Sequence, residues 1–139
     1  MAKSFQCDIV SVEASLFSGK VSQVMATGAE GEIGILAGHE PLLTLVASGP
    51  VEVTLEDGKK ETFFASGGIL EVQPDSVSIL ADTAERGGDL DEAAAQRALE
   101  QARSAMADKQ SELDYSTALG GIAEATARLR ALQRVRNNR

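Results

Sequence analysis

The sequence changes character at the glycine pair Gly87-Gly88, and this change constrains the fold more than any other feature. Fourteen of the sixteen valine and isoleucine residues and all three prolines lie before the pair. The 51 residues after Gly88 contain no proline and many alanines. Because β-branched residues favour strands and alanine favours helices, the chain is predicted to be α+β, with a β part followed by a separate helical part.

The β part is predicted to span residues 1–86. Short runs of strand-forming residues alternate there with glycines. Asp57-Gly58 separates two such runs, 51–55 and 62–64, and this dipeptide is typical of a tight β-hairpin turn. A second hairpin is expected around residues 73–76. Several short strands with regular turn signals indicate a β-sandwich or a barrel.

The helical part, residues 87–139, is predicted to fold as two antiparallel helices. Asp89, followed by a glutamate three residues later, matches an N-cap with a capping box. The first helix is therefore expected over about 90–108. Asp114 is expected to cap the second helix, over about 115–135. Apolar residues recur three and four positions apart in both segments, as in two helices that pack against each other.

This helical hairpin is predicted to be weakly held. The apolar face of the first helix is mostly alanine, which buries less surface than leucine. Gly120 and Gly121 lie within the second helix, and each costs about 1 kcal/mol relative to alanine. Gly87 and Gly88 are expected to form a hinge ahead of the helices. A mobile switch element and a permanently docked hairpin of low stability are equally consistent with these features.

Composition excludes several classes of protein. The net charge of -8 repels nucleic-acid phosphates, and the lack of tryptophan with a single tyrosine leaves little surface for base stacking, so no nucleic-acid partner is expected. Cys7 is the only cysteine, which argues against an intramolecular disulfide and a multi-cysteine metal site. No signal peptide and no apolar run of membrane-spanning length is found, so a cytoplasmic chain is predicted.

The sequence contains no pattern that indicates catalysis. His39 is the single histidine, and it lies in a turn-like segment, 38–41, without an adjacent nucleophile, which favours a contact role. The glycine-rich segment 28–34 is a poor phosphate loop, because Glu30 and Glu32 would repel a phosphate. These two carboxylates are either ordinary solvated side chains or part of a polar docking surface.

The end of the second helix is basic. From Tyr115 onward there are five arginines and a single acid, Glu124. Arg130 and Arg134 lie one turn apart on one flank of the predicted apolar face, and Arg128 lies on the other flank. They form either a solvated face or a surface that docks onto acidic groups through bidentate guanidinium contacts.

Two stretches carry a specific resemblance to a known family. The first is TGAEGEIGI at 27–35, which continues to GHEPLLT at 38–44. The second is SGGILEVQP at 66–74, which continues to LADTA at 80–84. Together they closely resemble the epsilon subunits of bacterial rotary ATP synthases. The resemblance implies a β-sandwich of about ten strands, a C-terminal antiparallel two-helix hairpin, no catalytic site, and a place in the central stalk of the proton-translocating enzyme.

The resemblance also implies partners. Contact with the membrane-embedded ring of c subunits is implied for Gly31, Glu32 and Gly34. Contact with the gamma subunit is implied for His39, Leu42, Leu43 and Thr44. Residues 1–86 would then clamp gamma and rest on the ring, so that the chain couples ring rotation to the catalytic head of alpha and beta subunits. The chain would be a peripheral subunit at the cytoplasmic face of the bacterial cell membrane.

For the helices, the resemblance implies a regulatory role. In the family, an extended form of the hairpin enters the catalytic head and blocks ATP hydrolysis. Residues 87–139 would be this regulatory domain. The basic residues that would meet acidic groups of the catalytic beta subunits are Arg128, Arg130 and Arg134.

Some family members also bind ATP between the helices, through a motif of Ile or Leu, Asp, two variable residues, Arg and Ala. The matching segment here, 90–95, has Ala94 at the arginine position. Asp91 and Arg128 remain as weak candidates for an ATP site, and no cofactor is expected. The residues alone also leave open a stand-alone sandwich that binds partners and dimerises through its helices, and a hydrolase that uses His39.

Overall fold

The computed structural model describes residues 3–107 and 112–137 of the chain. Seven strands precede two α-helices in this part of the chain, so the predicted α+β order is observed. The strands are β1 (Phe5–Ser11), β2 (Ser15–Gly28), β3 (Gly31–Leu36), β4 (Leu42–Leu45), β5 (Gly49–Leu55), β6 (Lys60–Gln73) and β7 (Ser76–Arg86). The helices are α1 (Glu92–Ala107) and α2 (Glu112–Asn137), preceded by a 3-10 turn at Gly87–Asp89.

The strands close on themselves. Neighbouring strands follow the order β1-β7-β6-β5-β2, and β2 pairs again with β1. β3 extends the set beside β2, and β4 pairs with β6. All pairs are antiparallel except the parallel pair of β1 and β7. The closed set encloses one apolar core, formed by Phe5, Cys7, Ile9, Val21, Val24, Ala26, Ile35, Val46, Val51, Val53, Phe63, Ala65, Leu70, Val72, Val77, Ile79 and Ala81.

The described residues form seven strands rather than about ten, because the long strands bend without breaking. β6 has 14 residues; its first half pairs with β5, and its second half pairs with β4. Between the halves, Gly67 and Gly68 have φ angles of 71° and 114°. A Cβ at position 68 would lie 2.0 Å from the Leu80 carbonyl oxygen. Glycine therefore allows one bent strand to pair with β5 in its first half and with β4 in its second, where sequence patterns predict separate strands.

Both predicted hairpins are present. In the first, Thr54 of β5 pairs with Lys60 of β6, and Gly58 takes a φ of 90° in the turn. In the second, Gln73 pairs with Ser76 across the β6–β7 turn. The buried Cys7 belongs to the core between β2 and β7, and burial, with the Asp8 charge adding, raises the pKa of its thiol to about 12. It is therefore a neutral core side chain at physiological pH.

The start of the helical part differs from the prediction. Asp89 was expected to cap the first helix, but it lies in the 3-10 turn, and Leu90 after it is extended. The cap is Asp91, whose carboxylate accepts a hydrogen bond from the Ala94 N–H at 3.0 Å. The 3-10 turn ahead of the helix is closed by a hydrogen bond that the Leu90 N–H donates to the Gly87 carbonyl oxygen. The helix consequently begins at Glu92, and the second helix begins at Glu112, ahead of the predicted cap at Asp114.

The hairpin packs on the sheet through a small apolar contact. Phe64 of β6 is fully buried against Ala127 and Ala131 of α2, with Leu90 at the edge. The larger Leu119 of the same helix is 43% exposed. Alanine is favoured at this contact because its small side chain lets the helix approach a phenylalanine closely. No helix in the described part of the chain is long and apolar enough to cross a membrane.

Candidate functional site

The turn between β2 and β3 carries the residues predicted to meet the c ring. Gly28 pairs with Gly31 to close this turn, and the side chain of Glu30 is exposed at its tip. Glu32 and Gly34 follow on β3, and both are exposed. The three predicted ring-contact residues therefore lie together on one accessible edge of the sandwich.

Glu32 is nevertheless engaged within the chain. Its carboxylate accepts a hydrogen bond from the Arg134 guanidinium of α2 at 2.5 Å. Arg134 also donates to the Met25 sulfur at 3.9 Å, so its side chain lies along β2. The Glu32 side chain remains 48% exposed. The predicted ring-contact carboxylate and a predicted inhibitory arginine are thus partners in this conformation, which no local sequence signal indicates because they are 102 positions apart.

Arg128 makes three interactions on the other flank of α2. Its guanidinium donates to Glu85 of β7 at 2.5 Å and to Glu124, one helical turn away, at 3.3 Å. It also lies over the Phe64 ring, with the guanidinium carbon 4.5 Å from the ring centre, in a cation–π contact. Only a quarter of the Arg128 side chain is exposed. This residue therefore holds the helix to the sheet as both a charge and a flat packing group.

The other basic residues of α2 differ in their surroundings. Arg130 is exposed, and its guanidinium lies close to Gly49, where a Cβ would come within 3.0 Å of it. Arg136 pairs with Glu92 at the start of α1, so this ion pair joins the two helices. Of the three arginines predicted to meet the catalytic head, the structure pairs Arg128 and Arg134 with carboxylates of the sandwich and leaves Arg130 at the surface.

The candidate ATP residues are also occupied by contacts within the chain. The Asp91 carboxylate caps α1, and the Arg128 guanidinium is paired with two carboxylates. Ala94 is exposed and supplies no charge. A triphosphate binds where cationic donors converge, and these three positions do not provide such a group. In the part of the chain that the structure describes, no cluster of His, Cys, Asp or Glu side chains could hold a metal ion.

The two glycines predicted as a hinge have different environments. Gly87 is buried, and a Cβ there would lie 2.5 Å from Val135 of α2 and 2.7 Å from the Thr62 carbonyl oxygen. A Cβ on Gly88 would meet no atom within 4 Å. Gly87 therefore permits the close approach of the last turns of α2 to β6, whereas Gly88 is free of such a constraint.

Substituting each glycine by alanine tests this difference. Gly87→Ala is expected to lower the free energy of unfolding by about 1–3 kcal/mol, because the added methyl overpacks the contact with Val135 and Thr62. Gly88→Ala is the matched control and is expected to leave stability unchanged or slightly higher. Urea unfolding measures both values. Equal destabilisation by the two variants would show that the close approach at Gly87 carries no energy.

The predicted gamma-contact residues lie on and before β4 and do not share one face. Leu42 is half-buried and packs on the core, and Thr44 has the same inward alternation. Leu43 points outward and is 69% exposed. The His39 ring nitrogen Nδ1 lies 2.7 Å from the Glu40 carbonyl oxygen, so the imidazole makes a local contact in the loop before β4.

An exposed apolar surface runs from β4 across the neighbouring strands. Leu45 pairs with Ile69 of β6, which pairs in turn with Leu80 of β7, and all three side chains point outward. We call Leu43, Leu45, Ile69 and Leu80 the outer apolar row. Sequence reasoning missed the last three of these residues. A signal is present, since strands with one face in water normally alternate, whereas Ile69-Leu70 and Ile79-Leu80 place apolar residues on both faces.

Comparison with known proteins identifies the family. Residues 4–87 match the model of the β-sandwich domain of ATP synthase delta/epsilon chains, and residues 89–133 match the model of their long α-helix domain. An ATP synthase epsilon chain from Chromohalobacter salexigens is 56% identical over 133 residues, which cover 96% of this chain and 94% of that protein. These matches confirm the predicted resemblance, the sandwich with its two-helix region, and the expectation of a non-catalytic stalk subunit.

Chains in solved structures of ATP synthases have the same fold. A chain of the Euglena gracilis mitochondrial ATP synthase, imaged by cryo-electron microscopy with OSCP, F1 and the c-ring, aligns with a TM-score of 0.77 at 25% identity, over 96% of this chain and 80% of that chain. A chain from the central stalk and c-ring of the Tetrahymena thermophila mitochondrial ATP synthase shares the fold, with a TM-score of 0.51 at 13% identity, over 63% of this chain and 70% of that chain. The present chain therefore belongs to the delta/epsilon family of ATP synthase chains.

Proposed function

We propose that this chain couples rotation of the c ring to the catalytic head by binding gamma and the ring through separate surfaces of its sandwich. The observation that carries this proposal is the outer apolar row on a closed set of strands. Four large apolar side chains, 41–69% exposed, form a surface that a permanent partner would bury. Gamma is the partner proposed for it.

The ring is the partner proposed for the edge that carries Glu32. A short β-turn between paired strands resists bending, so it is suited to transmit a sideways force. The exposed half of the Glu32 side chain can accept charge-assisted hydrogen bonds from polar or basic loops of the ring. In this arrangement the chain is a peripheral subunit at the cytoplasmic face of the bacterial cell membrane, within a proton-translocating enzyme.

The hairpin is the part for which we propose regulation. In the described part of the chain, its apolar contact with the sandwich is small: Phe64 packs against Ala127 and Ala131 with Leu90 at the edge, Val135 lies at the Gly87 turn, and two ion pairs reinforce it. Such a contact can open at low cost. The released α2 would carry Arg128, Arg130 and Arg134 toward acidic residues of the catalytic beta subunits and inhibit ATP hydrolysis. Because Ala94 and the paired Arg128 offer no phosphate site, we infer that ATP does not control this step.

Co-purification from membranes tests the proposal. A tagged chain expressed in its own cells is expected to bring gamma and the c subunits with it when the membranes are solubilised in mild detergent. An untagged strain serves as the control. Recovery of the chain alone, or as a homodimer joined through its helices, would instead support the stand-alone binding module.

A further inference from the structure

The Glu32 carboxylate lies at the meeting point of two surfaces that the proposed function keeps apart. It is on the exposed edge assigned to the ring, and it is also the acceptor for Arg134 near the end of the hairpin. Its ion pair is one of two that join the hairpin to the sandwich among the described residues, the other being Arg128 with Glu85. The edge and the hairpin therefore share one charged group.

We propose that Glu32 is a shared acceptor, for which Arg134 and a basic loop of the partner at this edge compete. This inference rests on the proposed function, in which that partner is the ring. Engagement of the edge by a guanidinium or ammonium group displaces Arg134 and loosens the last turns of α2. Docking of the end of the hairpin thus depends on whether the edge of the sandwich is bound to its partner.

Competition follows from the charge and the geometry. One carboxylate carries one negative charge, and Arg134 holds it at 2.5 Å. A second cation brought to the same carboxylate is repelled by the first and cannot form an equally strong pair. The exposed half of the Glu32 side chain gives a partner access without prior unfolding. The coupling is reciprocal. If a partner at the edge weakens docking of the hairpin, a docked hairpin weakens binding of that partner by the same factor.

The effect is localised to the end of α2. Among the described residues of this end, Arg134 contacts β2 and β3, and Val135 lies at the Gly87 turn. Phe64 and Arg128 hold the middle of the helix independently. Loss of the Arg134 pair is therefore expected to loosen residues 132–137 while the middle of the helix, held at Phe64 by Ala127 and Ala131, remains docked.

Hydrogen–deuterium exchange of the isolated full chain tests the ion pair. Glu32→Gln is expected to accelerate exchange of the amides of 132–137 about two- to five-fold, as loss of a half-exposed ion pair predicts. Glu30→Gln is the matched control, since it removes a carboxylate from the same turn, and it is expected to change nothing. The charge-swapped double variant Glu32→Arg, Arg134→Glu is expected to restore slow exchange. Unchanged exchange in Glu32→Gln would overturn the inference and leave the proposed function intact.

The same measurement on the assembled complex tests the competition. If a cation of the ring is already paired with Glu32, the amides of residues 132–137 are expected to exchange at the same rate in wild type and in Glu32→Gln within the complex, although the two differ as isolated chains. Because gamma is present in both complexes, any effect of gamma on the helix is the same for wild type and for Glu32→Gln. A difference of the same size in both settings would overturn the competition. Failure of the wild-type chain to assemble with the ring would instead overturn the proposed function.

Discussion

Replacing Leu45 with aspartate is expected to weaken binding of the chain to gamma at least about thirty-fold. Leu45 lies in the outer apolar row, flanked by Ile69 on the neighbouring strand, and it is 65% exposed in the free chain. At the centre of an interface, a buried leucine that becomes a carboxylate loses its apolar contact and leaves a charge without water. Truncations at such central positions cost 2 kcal/mol or more, in the range of interface hot spots. Titration calorimetry with purified gamma measures the change.

Val12 supplies the matched control for this variant. It is also a large apolar residue, 83% exposed, but it lies in the turn between β1 and β2, outside the strands β4, β6 and β7 that carry the outer apolar row. Val12→Asp is expected to bind gamma as wild type does. Both side chains are exposed in the free chain, so thermal unfolding is expected to be nearly the same for the two variants. Equal loss of binding in both variants, or none in Leu45→Asp, would remove the outer apolar row as the gamma surface.

The fold class was readable from the sequence because composition changes once, at the glycine pair. The number of strands could not be predicted in the same way, because it depends on where a long strand bends without ending. The pairing of β6 with β7 skips Gly67 and resumes at Gly68 in the same register, so the strand bends at the glycine pair without ending. In the sequence, a glycine pair indicates the end of a strand. Only the hydrogen-bonded pairing before and after the glycines shows that the strand continues. The same limit applies at the start of α1, where Asp89 and Asp91 are both suitable caps.

The candidate site was readable only in part for a similar reason. The exposed turn at Glu32 and the basic end of α2 each have a local signature. Their contact does not, because the ion pair of Glu32 with Arg134 depends on how the hairpin folds back across the sheet. Likewise, the Arg128 pair with Glu85 joins residues 43 positions apart. Charge patterns identify which residues can form ion pairs, whereas packing at Phe64, Ala127 and Ala131 decides which of them do.

Two variants that break the same ion pair are expected to change ATP hydrolysis in opposite directions. Glu85→Gln removes the acceptor for Arg128 and weakens the docked hairpin, but leaves the guanidinium available to the catalytic head. Hydrolysis by the purified complex is therefore expected to fall. Arg128→Gln also weakens docking, yet the released helix lacks the cation proposed to meet the beta subunits, so hydrolysis is expected to rise. Each change is expected to be about three- to ten-fold, the size of a half-buried, charge-assisted pair.

Glu61→Gln is the control for the charge change, since Glu61 is an exposed acid of the same sandwich. It is expected to leave hydrolysis unchanged. The opposite signs separate two roles of Arg128, as a latch in the docked form and as an inhibitory contact in the released form. If both Glu85→Gln and Arg128→Gln lower hydrolysis, Arg128 acts only as a latch, and the inhibitory contact must then come from Arg130 or Arg134. If neither variant alters hydrolysis, the hairpin does not regulate this enzyme.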